Sequence, residues 1–278
     1  MKKPQRRKGL AEIPRALSRL EEIEAAACGK ELFVALDFDG TIAPIKDDPE
    51  AVEISAEMKK RLKNLAMRCR VAIITGRDLG DIRERVGLEE LFYSGSHGFE
   101  IVGPSGSGLF FEVGKEFLPA LDSAGESLAV LIKKAPGAVL QRKRFSISVH
   151  YRLVDESLVP DLKDAVDGVV KGLKGLVARP DKKAIEILPR KKWNKGRALL
   201  WLLEAAGMSP QNSFTISIGD DVTDEDTFRV VNGRGAGIIV TETEPPQATF
   251  ADYSLKSTAE VGRFIEILER IAGNISQE

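Results

Sequence analysis

LFVALDFDGTIAPI, residues 32–45, decides how this chain folds. Leu32 to Leu36 run without a polar break. A short unbroken apolar run suits a strand buried on both faces of a parallel sheet. It ends abruptly in Asp37-Phe38-Asp39-Gly40-Thr41. Two carboxylates two residues apart in an extended segment project to the same side. VAIITGR, residues 71–77, repeats the pattern: a buried strand, then a small polar turn. The spacing predicts a helix over 55–68, another ending near Val86, and a short strand near Phe92. Strand and helix in alternation predict an α/β sheet wrapped on both faces, with ligands at the carboxyl ends of its strands. Both polar turns belong at that edge.

The middle of the chain reads differently. A helix pattern covers about 115–134, and AVLQRKRFSISVHYR (138–152) alternates like a hairpin. A second helix over 156–173 and a second hairpin over 176–189, its turn near Pro180-Asp181, complete an αββαββ order. That order suits a small antiparallel sheet with helices on one face, inserted into the first domain. After Trp193 the first style returns: a helix over 196–206, FTISIGDD (214–221), AGIIV (236–240) and a helix over 258–272. The expected division is a core of 1–113 and 190–278 with an insert of 114–189. Its expected hinges are Val113–Lys115 and Pro189–Lys192. Ahead of the core, Leu10, Ile13, Leu17, Leu20 and Ile23 recur at helical spacing before Gly29 and predict one amphipathic helix over 10–27. The basic start (Lys2, Lys3, Arg6, Arg7, Lys8) is expected to be a frayed, solvated tail.

Composition narrows the function classes. Apolar residues make up 43%, enough for a packed core. The 41 basic and 42 acidic side chains leave a net charge of −1, without the surplus a nucleic-acid binder carries. No apolar run approaches the ~20 residues that span a bilayer, and no apolar run follows the basic start as in a secretory signal. Cys28 and Cys69 are read as buried or semi-buried thiols of a reducing cytosol. A small polar substrate and a cytoplasmic location are expected.

Four polar turns stand at four candidate strand or helix ends: Asp37 with Asp39; Thr75 with Gly76 and Arg77; Lys195; and Asp220, Asp221 and Asp224. Any one alone has an ordinary reading as a surface acid pair, a turn, a solvated lysine or a helix cap. Their joint occurrence in this order is the specific signal. Carboxylates gathered at one edge raise each other's pKa unless a cation joins them. A hard divalent ion with oxygen ligands, Mg2+ above all, removes that repulsion and leaves room for a phosphate beside it. Lys195 and Thr75 then suit the phosphate oxygens. Of the two paired acids, one can be the nucleophile of phosphoryl transfer and the other its acid and base.

At this point the chain resembles the haloacid-dehalogenase superfamily: DFDGT (37–41), Thr75, Lys195 and GDDVTDED (219–226) match its four motifs in order. More narrowly, LDFDGTIAPI, FYSGSHGFEI (92–101), KRFSISVHYR (143–152), KKAIEILP (182–189) and GDDVTDEDTF (219–228) resemble trehalose-6-phosphate phosphatases from about Leu32 to Leu268. The resemblance implies a Rossmann-like core with an inserted αββαββ cap of the C2B type. It implies hydrolysis of trehalose 6-phosphate, with Asp37 as nucleophile and Asp39 as general acid/base. Mg2+ is then held by Asp37, Asp220, the Asp39 carbonyl and Asp224, and phosphate by Thr75 and Lys195. It also implies substrate contacts at Gly76, Arg77, His97, Gly98, Glu100 and Asp221 on the core, and at Lys143, His150, Arg152, Lys183 and Glu186 on the cap. The expected partner is a phosphosugar, with neither nucleic acid nor membrane, and a monomer is the expected state. Gln141 stands where many relatives carry an acid, and Asn194 precedes the lysine where aspartate or serine is common. Sucrose 6-phosphate and mannosyl- or glucosyl-3-phosphoglycerate stay open as substrates, Arg142, Lys143 and Arg144 being able to meet a carboxylate. A silent sugar-phosphate sensor stays open as another class.

Overall fold

The computed structural model of the chain describes residues 6–46, 48–181, 183–242 and 246–275. It divides into two compact units, one of residues 1–111 and 193–278, the other of Glu112–Lys192.

In chain order the large unit contributes β1 (Lys8–Gly9), α1 (Leu20–Ala27), β2 (Glu31–Leu36), α2 (Ala56–Ala66), β3 (Arg70–Ile74), α3 (Leu79–Val86), β4 (Phe92–Gly95) and β5 (Glu100–Val102). β6 (Phe110–Glu112) lies at the boundary. The small unit holds α4 (Leu118–Leu131), β7 (Val139–Arg142), β8 (Ile147–His150), α5 (Val159–Gly172), β9 (Leu176–Asp181) and β10 (Ala184–Pro189). The large unit resumes with α6 (Lys195–Ala205), β11 (Ser213–Gly219), α7 (Glu225–Val231), β12 (Gly235–Val240), β13 (Ala248–Thr249), β14 (Tyr253–Leu255) and α8 (Thr258–Ile275).

Among the described residues the main sheet has eight strands in the order β14-β12-β11-β2-β3-β4-β5-β6. From β14 to β4 each neighbour is parallel, and β5 turns back antiparallel to β4. The apolar run of β2 shows why it sits centrally. Leu32, Val34 and Leu36 enter a core with Ile23 of α1, Leu62 of α2, Ile82 of α3 and Phe264 of α8. Phe33 and Ala35 face the other way, onto Leu199 and Leu202 of α6. Burying a side chain such as Phe33 stabilises by roughly 1.5–3 kcal/mol, so both faces of the strand hold it in register. The helix ends carry their own signals: Ser55 accepts from the Met58 amide at the start of α2, and Asn194 accepts from the Arg197 amide at the start of α6.

The small unit is a four-stranded antiparallel sheet, β7-β8-β10-β9. Ile147, Val149, Ile185 and Ile187 pack with Leu121 and Leu128 of α4 and Val166 of α5. The register puts Gln141, Ser148, Glu186 and Arg179 side by side on the opposite face, with His150 two residues along.

The structure corrects four expectations. Residues 10–27 are not one helix: two short 3-10 turns (Leu10–Glu12, Ala16–Ser18) precede α1. Pro14 lies between them; it has no N–H to continue a helix, and its carbonyl accepts from the Ser254 amide at 3.0 Å. The basic start is not all solvated tail. Lys8 pairs with Thr249 across β1 and β13 and reaches Asp252, and Arg7 lies over the Phe250 ring. Lys2 and Lys3 lie outside the described residues. The second hairpin turns later than Pro180-Asp181, since Asp181 still pairs with Ala184, and Lys183 takes φ +55°. β9 is an edge strand, which tolerates Pro180. Cys28 is exposed, and only Cys69 is half-buried, where burial pushes its thiol up to about 12 against the pull of Arg70. No helix among the described residues is long and apolar enough to cross a membrane.

Candidate active site

Four neighbouring strands, β11, β2, β3 and β4, end at one edge of the main sheet. Asp37 follows β2, Thr75 follows β3, Ser96 follows β4 and Asp220 follows β11. Lys195 is the first residue of α6. Asp37, Asp220 and Asp224 are all buried and bring one carboxylate oxygen each to within 4.8 Å of one another. Lys195 Nζ stands 3.0 Å from Asp37 Oδ1 and 2.9 Å from Asp224 Oδ1.

Burial pushes the Asp37 carboxyl well above its ordinary value; Lys195 opposes this, while Asp224, Asp220 and Asp39 add to it. Asp224 is raised for the same first reason, with Lys195 opposing. Burial alone would lower Lys195, but Asp224 and Asp37 outweigh it and hold the ammonium charged. Three carboxylates and one ammonium leave an excess of negative charge out of water, which a divalent cation offsets. The set therefore fits a hard cation with oxygen ligands. The backbone is built around it: Gly40 takes φ +76°, and a Cβ there would lie 2.3 Å from Asp220 Oδ2.

Asp39 is not in the cluster. Both its oxygens face Arg77, whose Nε and Nη2 each donate at 2.7 Å. Nη2 also reaches the Pro49 carbonyl at 2.8 Å, and Nη1 donates to Asp81 at 3.0 Å. The guanidinium lies over the buried Phe38 ring, 5.3 Å from its centroid. Arg85, one turn beyond Asp81, donates to it at 2.6 Å and to the Val52 carbonyl at 2.7 Å. Every polar end of Arg77 is thus turned toward protein groups, although the sequence had set it among the substrate contacts.

The turn holding Thr75 is tied to the loop after β4. The Thr75 hydroxyl accepts from the Arg77 amide at 3.2 Å, and the Thr75 amide donates to the Ser94 carbonyl at 2.9 Å. Ser96, His97 and Gly98 take φ of +50°, +56° and +99° in succession. A left-handed conformation costs a non-glycine residue about 1–2 kcal/mol, so Ser96 and His97 are held by what surrounds them. The Ser96 amide donates to the Arg77 carbonyl at 2.7 Å and the His97 amide to the Thr75 carbonyl at 2.9 Å. The His97 ring lies on Gly76, where an added Cβ would come within 2.7 Å of Cε1. Glu100 is buried and takes the Ser96 hydroxyl at 3.5 Å. Asp221 turns its carboxylate to the Val222 amide at 2.6 Å, capping a short turn, while its own amide donates to Asp224.

The remaining candidates belong to the small unit. The His150 ring lies 3.4 Å from the Gln141 amide oxygen, and Glu186 shares that polar sheet face. Lys143 is half-buried in the β7–β8 turn, while Arg152 and Lys183 are exposed. Arg142 is paired with Asp122 and Arg144 with Glu112.

A parallel sheet ringed by helices, with paired acids after its central strand and further acids and a lysine at the same edge, defines a hydrolase of the haloacid-dehalogenase-like fold. That fold is shared with a haloacid dehalogenase-like hydrolase from Bacteroides thetaiotaomicron, at a TM-score of 0.62, 17% identity and coverage of 87% and 100% of the two chains. Within it the chain belongs to the trehalose-phosphatase family, whose sequence model matches residues 35–259, and so is a phosphoric monoester hydrolase. Probable trehalose-phosphate phosphatase D of Arabidopsis thaliana is 37% identical over 268 residues, covering 93% of this chain and 73% of the relative. Probable trehalose-phosphate phosphatase 3 of Oryza sativa is 37% identical over 276 residues, covering 94% and 75%. The trehalose-6-phosphate phosphatase structure from Aspergillus fumigatus superimposes with a TM-score of 0.64 at 26% identity, covering 93% and 99%.

Proposed function

We propose that this enzyme hydrolyses trehalose 6-phosphate to trehalose and phosphate through an aspartyl-phosphate on Asp37, with Mg2+ as its ion. The observation that carries the proposal is the buried cluster of Asp37, Asp220 and Asp224, with the Lys195 ammonium on Asp37 and Asp224, in a chain of the trehalose-phosphatase family. Asp37 and Asp220 would hold the ion through carboxylates and Asp39 through its backbone carbonyl, with Asp224 beside them. When bound, the ion supplies the positive charge that keeps Asp37 ionised and offsets the phosphate oxygens.

The Asp37 carboxylate attacks phosphorus in line with the ester oxygen, and the phosphorus–oxygen bond to the sugar breaks. Asp39 rotates out of the Arg77 fork, takes up a proton from solvent and gives that proton to the departing sugar oxygen. It then takes one from the water that attacks phosphorus, which frees phosphate and restores Asp37. Lys195 and Thr75 hold the phosphate oxygens throughout. Arg77 acts on Asp39 and not on the substrate, setting where that carboxylate waits.

We read the small unit as a cap that supplies contacts to the sugar from Lys143, His150, Arg152, Lys183 and Glu186, with the chain crossings acting as hinges. The pairing of Arg142 with Asp122 and Arg144 with Glu112 weighs against a phosphoglycerate ester, whose carboxylate needs an open basic site. A location in the reducing cytoplasm fits the free thiols of Cys28 and Cys69.

The test is a kinetic panel of trehalose 6-phosphate, sucrose 6-phosphate and mannosyl- and glucosyl-3-phosphoglycerate, with and without Mg2+. Trehalose 6-phosphate with Mg2+ is expected to turn over fastest. Equal rates for all four would overturn the substrate, and tight binding without turnover of any would favour a sensor.

A further inference from the structure

The chain leaves the large unit after Phe111 and re-enters it at Trp193. These two residues meet. Their ring centroids are 5.4 Å apart, and Phe111 stacks on Trp201 of α6 at 4.5 Å. Only two tryptophans occur in the chain, and both belong to this cluster. Ring packing uses the face of the Trp193 indole and leaves its N–H free to point elsewhere. That N–H donates to the Gly98 carbonyl at 2.7 Å.

Gly98 closes the left-handed run of Ser96 and His97. It is wedged in place: a Cβ would lie 2.5 Å from Ala198 Cβ and 3.0 Å from Trp193 Nε1. The two strained residues before it are fastened on one side by the Ser96 and His97 amides, which donate to the carbonyls of Arg77 and Thr75. The indole fastens the other side. Between these anchors the His97 ring rests on Gly76, next to Thr75. Trp193 also stands two residues before Lys195, with the helix-capping Asn194 between them. One side chain therefore touches the chain crossing and the strained loop, and directly precedes the helix that presents the lysine.

We propose that Trp193 is a positioning residue for the sugar end of the substrate. Its indole N–H holds the 96–98 loop in the strained form that aims His97, and its ring locks that loop to the point where the chain passes into the small unit. The inference rests on the reading of the substrate as a phosphosugar. It separates two demands on the site. The phosphate is met by Asp37, Thr75 and Lys195, which do not need the indole. The leaving group is met by the loop, which does.

The experiment compares wild type with Trp193→Phe, which keeps the ring and deletes the donor. Activity is measured on p-nitrophenyl phosphate and on whichever phosphosugar of the panel the wild type turns over best. The expected result is a KM for the phosphosugar raised about tenfold or more, with kcat/KM for p-nitrophenyl phosphate within about twofold of wild type. Unchanged kinetics on both substrates overturn the inference. So does an equal loss on both, which marks a merely structural residue. A wild type that prefers another phosphosugar refutes trehalose 6-phosphate as substrate and leaves this ratio still decisive. A second measurement needs no altered Trp193. In Asp37→Asn protein, the indole N–H resonance of Trp193, assigned by its persistence in Trp201→Phe, is expected to shift when that phosphosugar is added. An unmoved resonance at saturation overturns the inference.

Discussion

Replacing Lys195 by methionine keeps an unbranched side chain one atom shorter and deletes the charge between Asp37 and Asp224. The ammonium lies 3.0 Å and 2.9 Å from the two carboxylates, and all three side chains are buried. At an effective dielectric of about 20, each contact is worth roughly 5 kcal/mol of attraction. Removing one partner of a buried pair costs less, about 3–5 kcal/mol, because the stranded acid takes up a proton instead of staying charged. In a unit of roughly 200 residues, each kcal/mol moves the melting temperature by about 2–4 °C, so the expected fall is roughly 6–20 °C. The assay is thermal denaturation in chelator at a series of pH values. The sign is set by Asp37 and Asp224, which burial raises above the ordinary value of 3.8 and which Lys195 restrains. Without the lysine they rise further. A carboxylate raised in the folded state keeps its proton after the unfolded chain has released it, so stability falls as pH climbs from about 4 through the folded value. The deficit of the variant is therefore smallest in acid and grows toward neutrality. A variant melting within about 2 °C of wild type, or with a deficit that does not change with pH, would refute the idea that Lys195 is the counterion of these acids.

Three further outcomes follow from the same geometry. Asp37→Asn is expected to lower turnover by at least about a thousandfold while melting no lower than wild type in chelator, since it removes one of three crowded carboxylates; a clear drop in melting temperature would contradict the crowding. Gly40→Ala places a Cβ 2.3 Å from Asp220 Oδ2 at φ +76°, so activity should fall about a hundredfold and stability by about 1–2 kcal/mol; wild-type kinetics would show that Asp220 needs no such room. Arg77→Lys cannot reproduce the two-pronged hold on Asp39, so kcat should fall about tenfold with KM little changed; an unaltered kcat would mean that the fork does not govern Asp39.

Much of this fold was legible from unbroken apolar runs. Phe33 and Val34 point to opposite cores, so β2 reads as apolar throughout, and β3 follows the same rule; β11 instead alternates, with Phe214, Ile216 and Ile218 in one core and Thr215 and Ser217 buried between them in sequence. β5 and β14 escaped because Glu100–Val102 and Tyr253–Leu255 are three residues long and take their conformation from pairing partners. Pro14 was hidden by apolar neighbours at helical spacing, and Pro180 read as a turn although an edge strand accommodates it. In the site, spacing was enough to suggest that Asp37, Asp220, Asp224 and Lys195 gather. The grip of Arg77 on Asp39 was not legible, because an arginine after a phosphate turn reads equally well as a substrate contact. Nor was the Trp193–Gly98 hydrogen bond, whose partners lie 95 residues apart and carry no joint pattern.

The strand order has a consequence for how the protein is made. β2 lies between β3, which follows it closely in sequence, and β11, which comes only after the whole small unit. The small unit is continuous in sequence, whereas Lys8 and Pro14 wait for Thr249 and Ser254 near the other end of the chain. On the ribosome the insert can close first while the strand bearing Asp37 stands with one flank bare. An interrupted chain would leave that flank open to the wrong partner. The last third of the polypeptide therefore closes the sheet and the site in one step, because β11 covers the bare flank of β2 and brings Asp220 and Asp224 to Asp37.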